Sequence, residues 1–347
     1  MVNTFLPLAE VRWGILGCGD VTEVKSGPAL QKCTGSRLVA VMRRDAAMAA
    51  DYARRHGVPR SYSDAAALCA DPEVNAIYIA TPPGSHLDLA RLAAAAGKPA
   101  YIEKPFGRSA TEADAINAAF TAAGQPVFAA YYRRALPRFV KVRELLAADA
   151  LGRLTGVNLR HAGPPPGDNW RLDPAVSGGG LFIDLGSHAL DLLDHLVGPI
   201  QSVTGLAANR SGLHPAVEDT VAMSFRTAGG APGAAHWNFA ASHHEDLVEL
   251  HGTAARITFS IFADQPVRLL RADGSEESFP IAHPPHVQQP LIQTVVDALR
   301  AGDSSRSPST GANARRTSAA MDTVLDSYYG GRADAFWCRP RQPGPAR

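Results

Sequence analysis

Cysteine is scarce in this chain of 347 residues: there are four, at positions 18, 33, 69 and 338, and none sits in C-x-x-C spacing. That excludes a disulfide scaffold and fits free thiols in a reducing compartment. An excess of one charge is missing too. The 34 Lys and Arg nearly cancel the 33 Asp and Glu to leave +1, so no global field draws the chain to nucleic acid or to an anionic membrane. Apolar runs of membrane-spanning length are lacking, and Met1 to Glu10 has neither the basic start nor the apolar stretch of a secretory signal. The expectation is a cytoplasmic protein with no membrane and no nucleic-acid partner. No repeat of solenoid length occurs. What is present is a globular balance, 46% hydrophobic and 19% charged, at a length that suits two domains.

Two styles divide the chain. From Val11 to Ala130, short apolar runs alternate with alanine-rich stretches, the pattern of β-α repeats on a parallel sheet. Strands are predicted at Val11 to Leu16, Arg37 to Met42, Arg60 to Tyr62, Val74 to Ala80, Ala100 to Glu103 and Pro126 to Ala130, with helices at Ala46 to His56, Ser85 to Ala96 and Thr111 to Ala123. This is an α/β, doubly wound Rossmann layout over residues 1–130, whose ligands belong beyond the carboxyl ends of the strands. Residues 131–338 read as an α+β domain with a large, open, mainly antiparallel sheet. Its strands are predicted at Thr155 to Arg160, Val217 to Arg226, Ala234 to Ala240, Leu247 to His251 and Arg256 to Ile261. Helices are expected at Asp184 to Leu196, and at His286 to Ala301 and Ala312 to Tyr329 to close that domain. Residues 339–347, rich in proline and arginine, read as a disordered tail.

Chemistry concentrates at strand ends. Gly17-Cys18-Gly19 follows the first predicted strand, where glycines allow a tight turn and a close approach to a pyrophosphate at a helix start, Asp20 and Val21. The third fingerprint glycine is replaced by Thr22, so helix and strand must pack differently here. The second strand ends in Arg43-Arg44 instead of an acid. Guanidinium groups there match a ribose 2′-phosphate, while Asp45 is placed to cap the next helix. NADP is therefore expected over NAD; two solvated surface arginines are the alternative. The loops Thr81-Pro82-Pro83-Gly84-Ser85-His86 and Glu103-Lys104-Pro105 end two further strands, and the Lys104-Pro105 bond could be cis and aim the lysine inward. A salt bridge of Lys104 with Glu103 is the competing reading. In the second domain Gly178-Gly179-Gly180 precedes Asp184, His188, Asp191 and His195; on a helix Asp184 and His188 stack at i and i+4, a carboxylate beside an imidazole. No metal is expected, since the adjacent side chains of His243-His244-Glu245-Asp246 rarely face one ion.

In this order and spacing, the Gly17-Cys18-Gly19, Glu103-Lys104-Pro105 and Gly178 to Asp191 runs resemble the Gfo/Idh/MocA family of glucose-fructose oxidoreductase, inositol dehydrogenase and rhizopine-catabolism proteins, over about residues 11 to 330. The resemblance implies a nicotinamide-dependent dehydrogenase or reductase transferring a hydride to or from a sugar or polyol. Lys104 would polarise the reacting oxygen, His188 would give or take the proton, and Asp184 would orient substrate and histidine. Gly17, Cys18, Gly19, Asp20, Val21, Arg43, Arg44, Thr81, Pro82, His86, Glu103 and Lys104 would hold the cofactor, and Tyr132, Arg133, Trp170 and Arg171 would line the substrate cleft beside Asp184 and His188. Homodimers or homotetramers through the second sheet are implied as well. A noncatalytic NADP-binding sensor of the same fold and an NAD-dependent glycosidase are the other readings left open.

Overall fold

The computed structural model describes residues 4–339. Its first sheet has six parallel strands in the order β3-β2-β1-β4-β5-β6: β1 Val11–Leu16, β2 Ser36–Met42, β3 Arg60–Tyr62, β4 Ala76–Ile79, β5 Ala100–Ile102 and β6 Val127–Ala129. Central strands such as β1 and β4 are buried almost throughout, Arg12 of β1 apart, because helices cover both faces, which leaves no solvent side to alternate with. The covering helices are α1 Asp20–Val24, α2 Gly27–Lys32, α3 Ala46–His56, α4 Ala65–Ala70, α5 His86–Ala95 and α6 Ala110–Ala122. Asp45 caps α3 by accepting from Met48 N at 3.0 Å, as its position past the strand end suggested.

The second sheet has eight strands in the order β14-β13-β12-β11-β7-β10-β9-β8: β7 Leu154–Ala162, β8 Ile200–Ala208, β9 Thr220–Thr227, β10 Pro232–Asn238, β11 Glu245–Gly252, β12 Ala255–Phe259, β13 Val267–Arg271 and β14 Glu276–Phe279. All its pairs are antiparallel except β7 with β10. Buried and exposed residues alternate along β9 and β10, so one face meets the core and the other is open. The helices are α7 Pro137–Ala147, α8 Pro174–Ser177, α9 Ser187–Val197, α10 Gln289–Ala301 and α11 Gly311–Tyr329. One expectation fails here: α10 does not close the second domain. Its Leu291, Ile292, Val295, Val296 and Leu299 pack with Val11, Trp13 and Leu38 in the core of the first sheet. The chain therefore returns to its first domain after completing the second. Of the expected tail, Arg339 is held by the carbonyls of Gly330 and Gly331, and residues 340–347 lie outside the described ones.

Helix α9 packs its apolar residues into the core of the second domain and carries charged residues along its length. On the side away from Asp184, Asp191 receives Arg134 at 2.8 Å from both Nε and Nη2. The His195 ring nitrogens lie 3.4 Å from Arg134 Nη1 and 3.3 Å from Arg143 Nη1. Burial, then the fields of Arg134 and Arg143, push the His195 pKa down to about 3. The folded state thus refuses a proton that the unfolded chain accepts below about 6.5, so stability is lost as pH falls below that value. His195→Gln is expected to lose about 1–2 kcal/mol less than the parent between pH 7 and pH 5. Urea melts at both pH values measure this; parallel losses in the two proteins would refute the electrostatic account.

Candidate active site

The site is assembled from the carboxyl ends of β1, β4 and β5 and from the chain entering α9. At the end of β1, Gly17 has φ +90°, and a Cβ there would stand 2.4 Å from Thr81 Cγ2. Only glycine lets the first turn lie against the end of β4. Gly17 N and Cys18 N both donate to Met42 O, at 2.9 and 3.0 Å, which ties the turn to β2. Gly19 is extended, a Cβ on it would meet nothing within 4 Å, and the amides of Asp20 and Val21 open α1, where no intrahelical carbonyl reaches them. A backbone this bare, with helix-start amides beside it, suits a diphosphate. Thr22 takes the place of the third glycine by turning inward: its hydroxyl donates to Gly19 O at 2.7 Å and accepts from Gly19 N at 3.0 Å. The close approach is deferred to Gly27, whose Cβ would fall 2.2 Å from Thr22 O and 2.3 Å from Tyr52 Oη. Cys18 is buried, which lifts its thiol to about 11 and leaves it protonated filler of the turn. Arg43 lies at the same turn, its Nη1 3.5 Å from Cys18 O, while Arg44 is exposed beside it.

Two residues expected at the cofactor serve elsewhere. His86 is fully buried; Nε2 donates to Thr81 O at 2.7 Å and Nδ1 faces Phe106 O at 3.4 Å. It braces the loops after β4 and β5 against each other and has no surface left for a ligand. Glu103 is buried as well, accepting from Tyr78 Oη and Gln288 Nε2, each at 2.6 Å, and from Lys104 N at 3.1 Å. That network holds the backbone of Lys104, whose peptide bond to Pro105 is cis. The side chain of Lys104 turns away from Glu103 and reaches the second domain.

There Lys104 Nζ donates to the Asp184 carbonyl at 3.1 Å and to its carboxylate Oδ1, and Arg171 Nε donates to Oδ2 at 2.9 Å. Burial alone would raise the Asp184 carboxyl; the two cations outweigh it and hold it below the ordinary carboxylate range. The Arg171 guanidinium also lies 4.4 Å from the ring centroid of the exposed Trp170. The expected pairing of Asp184 with His188 does not form. Residues Phe182–Gly186 make a wide π-type turn before α9, so the two side chains are not stacked at α-helical spacing. His188 is instead enclosed by Tyr131, Tyr132 and Phe262, with ring centroids at 6.1, 5.3 and 6.1 Å, and its Nδ1 is buried with no partner. Burial, then Arg133, Lys104 and Lys25, push its pKa well below the ordinary histidine value.

Sequence reasoning missed several supporting residues. Phe262 walls His188, and Asp246 fixes its loop by accepting from the amides of Ile261, Phe262 and Ala263 at 3.0, 2.6 and 2.9 Å. Within the run His243-His244-Glu245-Asp246, Asp246 is therefore a structural clamp. Glu218 accepts from Gly180 N at 2.9 Å and from Tyr329 Oη at 2.6 Å, anchoring the turn that presents Asp184. Its one signal is its place in an acidic pair, Glu218-Asp219, at the start of an alternating run.

Comparison with known proteins agrees with this architecture. Residues 11–131 match the family described as "Oxidoreductase family, NAD-binding Rossmann fold", and residues 139–258 match "GFO/IDH/MocA C-terminal domain". The chain is 35% identical to Oxidoreductase P35 of Formosa agariphila over 305 residues, 86% of this chain and 93% of that protein. It is 27% identical to the 1,5-anhydro-D-fructose reductase of Ensifer adhaerens over 273 residues, 77% and 82% of the two chains. Among solved structures, a levoglucosan dehydrogenase in complex with NADH and levoglucosan superposes with TM-score 0.80 at 21% identity, over 92% of this chain and 97% of that one. The matched domains, their order along the chain and the near full-length relative together establish that the protein belongs to the Gfo/Idh/MocA family of NAD-binding oxidoreductases.

Proposed function

We propose that the protein is a dehydrogenase or reductase that interconverts a hydroxyl and a carbonyl group on a sugar or polyol, with NADP preferred over NAD. The observation that carries this reading is the junction of the domains: a lysine at a strand end of the first meets an aspartate of the second, beside a neutral histidine with an unpartnered ring nitrogen. The relatives named as a sugar reductase and a sugar dehydrogenase support the substrate class.

The bare turn Gly17 to Gly19 and the amides of Asp20 and Val21 would hold the diphosphate of the cofactor, and Arg43 and Arg44 its ribose end. When bound, a nicotinamide ring supplies the hydride donor or acceptor. Lys104 hydrogen-bonds the substrate oxygen as negative charge develops on it, and Asp184 keeps that ammonium in place. His188 takes the hydroxyl proton during oxidation and returns it during reduction. Arg171 and Trp170 close the mouth. The outward face of the second sheet, with Leu206 74% exposed on edge strand β8, supports association between copies through that face.

The test is a titration with NADPH and NADH side by side, followed by an absorbance screen of sugars and polyols. NADPH is expected to bind more tightly, and replacing Arg43 and Arg44 by alanine is expected to weaken NADPH about 10- to 100-fold while NADH changes little, the scale of lost charge-assisted hydrogen bonds. Equal or tighter NADH binding in the parent would remove the role of the two arginines. Cofactor reduction in burst only, with release of an aglycone, would replace the dehydrogenase reading by glycoside cleavage.

A further inference from the structure

Four arginines in the described residues are almost wholly buried, and three of them are neutralised where they lie. Arg134 forks onto Asp191 and also reaches Asp194 at 3.1 Å. Arg138 caps the carbonyls of Ala263 and Gln265 and lies 3.6 Å from Asp264. Arg332 donates to Asp322 at 2.7 Å and to two carbonyls. Arg133 is the exception. It is 7% exposed, its Nε donates to Ile261 O at 3.1 Å, its Nη1 is buried with no partner, and no carboxylate among the described residues lies within ion-pair distance. After burial, the group that acts on it most is the Tyr132 hydroxyl, which is uncharged when protonated and cannot neutralise it; the carboxylates whose fields reach it are committed elsewhere, Asp246 to three amides and Asp184 to Lys104 and Arg171. A buried charge left uncompensated is strongly unfavourable and persists where a ligand supplies the missing partner.

The location says which ligand. The Arg133 guanidinium lies 4.5 Å from the Phe262 centroid and 4.9 Å from that of Tyr132, the two rings that stand edge-on to His188. It is therefore one side chain away from the proposed proton acceptor. Lys104 and Arg171 add two positive charges against the single one of Asp184, so the cleft carries an excess of positive charge before Arg133 is counted.

Building on the proposed dehydrogenase reading, we infer that the substrate is a sugar acid, a uronate or aldonate, whose carboxylate is received by Arg133. A monoanion of planar, forked shape matches one guanidinium; a phosphate dianion would ask for a second unpaired cation at the same place. The same contact has a catalytic consequence. Arg133 is the foremost charge opposing a proton on His188, and a carboxylate on Arg133 cancels that field. The acidic substrate thus equips the histidine to accept the proton, which a neutral sugar cannot do.

The experiment uses the full chain with NADP and NAD, and matched pairs: glucose against glucuronate, galactose against galacturonate, sorbitol against gluconate, with glucose 6-phosphate as a further arm. The acid of at least one pair is expected to exceed its neutral partner in kcat/KM by about 10-fold or more, and Arg133→Gln is expected to bring that ratio close to one. Uronate should also raise the melting temperature of the parent and fail to raise that of Arg133→Gln, a readout independent of turnover; Arg133→Lys, which keeps the charge, should retain part of the shift. Neutral sugars oxidised as fast as their acids, a preference for the phosphate, or a fall in cofactor affinity in place of the acid-to-neutral ratio would each overturn the assignment while leaving the dehydrogenase reading standing. Absence of turnover with every sugar and both cofactors would remove that reading, and this inference with it.

Discussion

Lys104→Ala is expected to lower kcat by about 100-fold or more, with cofactor affinity little changed. The ammonium of the first domain enters the second at this point, held by the Asp184 carbonyl and carboxylate. Glu103, Tyr78 and Gln288 fix its backbone from behind, so its placement is set by a buried network and not by the flexibility of the side chain. Removing it deletes a donor aimed at the oxygen on which charge develops, the kind of interaction felt in the transition state more than in the ground state. It also leaves Asp184 with Arg171 alone, so the carboxyl loses part of what holds its pKa down. Lys104→Met separates the two effects from packing, because it fills nearly the same volume without charge. Steady-state rates, together with a fluorescence titration of the cofactor, decide the matter. Turnover within about threefold of the parent in both variants would end the assignment of Lys104 as a catalytic group.

Much of this site could be read from the sequence because its parts obey local rules. A strand followed by Gly17-Cys18-Gly19 places a turn against a neighbouring strand end, and the order of six short apolar runs fixes the sheet in which that matters. Lys104 was legible for the same reason, since it directly follows a strand. The pairing of Asp184 with His188 was misread because i, i+4 logic assumes an unbroken α-helix, whereas the chain enters α9 through a wide turn. The partner of Asp184 stands eighty residues away in sequence, and no periodicity encodes it. His86 and Glu103 look like site residues in a strand-end loop, and only the fold shows their polar atoms already consumed. Strands β8 and β14 escaped because edge strands of an open sheet alternate weakly, β8 exposing Leu206 and burying little on either face, and β13 escaped because its alternation is only three residues long, Val267 to Leu269. The return of α10 to the first sheet depends on which core its apolar face matches, a question of tertiary packing that its amphipathic spacing leaves undecided.

His188→Ala should be as damaging, lowering kcat by about 100-fold or more, for a different reason. The ring is 4% exposed among Tyr131, Tyr132 and Phe262, and its Nδ1 has no partner, so none of its proton-accepting capacity is consumed by a hydrogen bond within the protein at that atom. Its depressed pKa keeps it neutral in the free enzyme at pH 7, the form that accepts a proton during oxidation. The sign can be followed through: a histidine with its ordinary pKa near 6.5 would be protonated below that pH and would impose an acid limb there, whereas one held well below it would not. The kcat/KM profile for oxidation, which reports the free enzyme, is therefore expected to show no limb near pH 6.5. Alanine also opens a space between three rings, costing on the order of 2 kcal/mol of stability, so His188→Asn is the companion variant and thermal melts monitor folding. A well-folded His188→Asn that turns over at the parent's rate would show that the proton leaves by another route. Reduction needs a proton on an imidazole that burial and Arg133 resist, so the reverse reaction is expected to gain rate as pH falls.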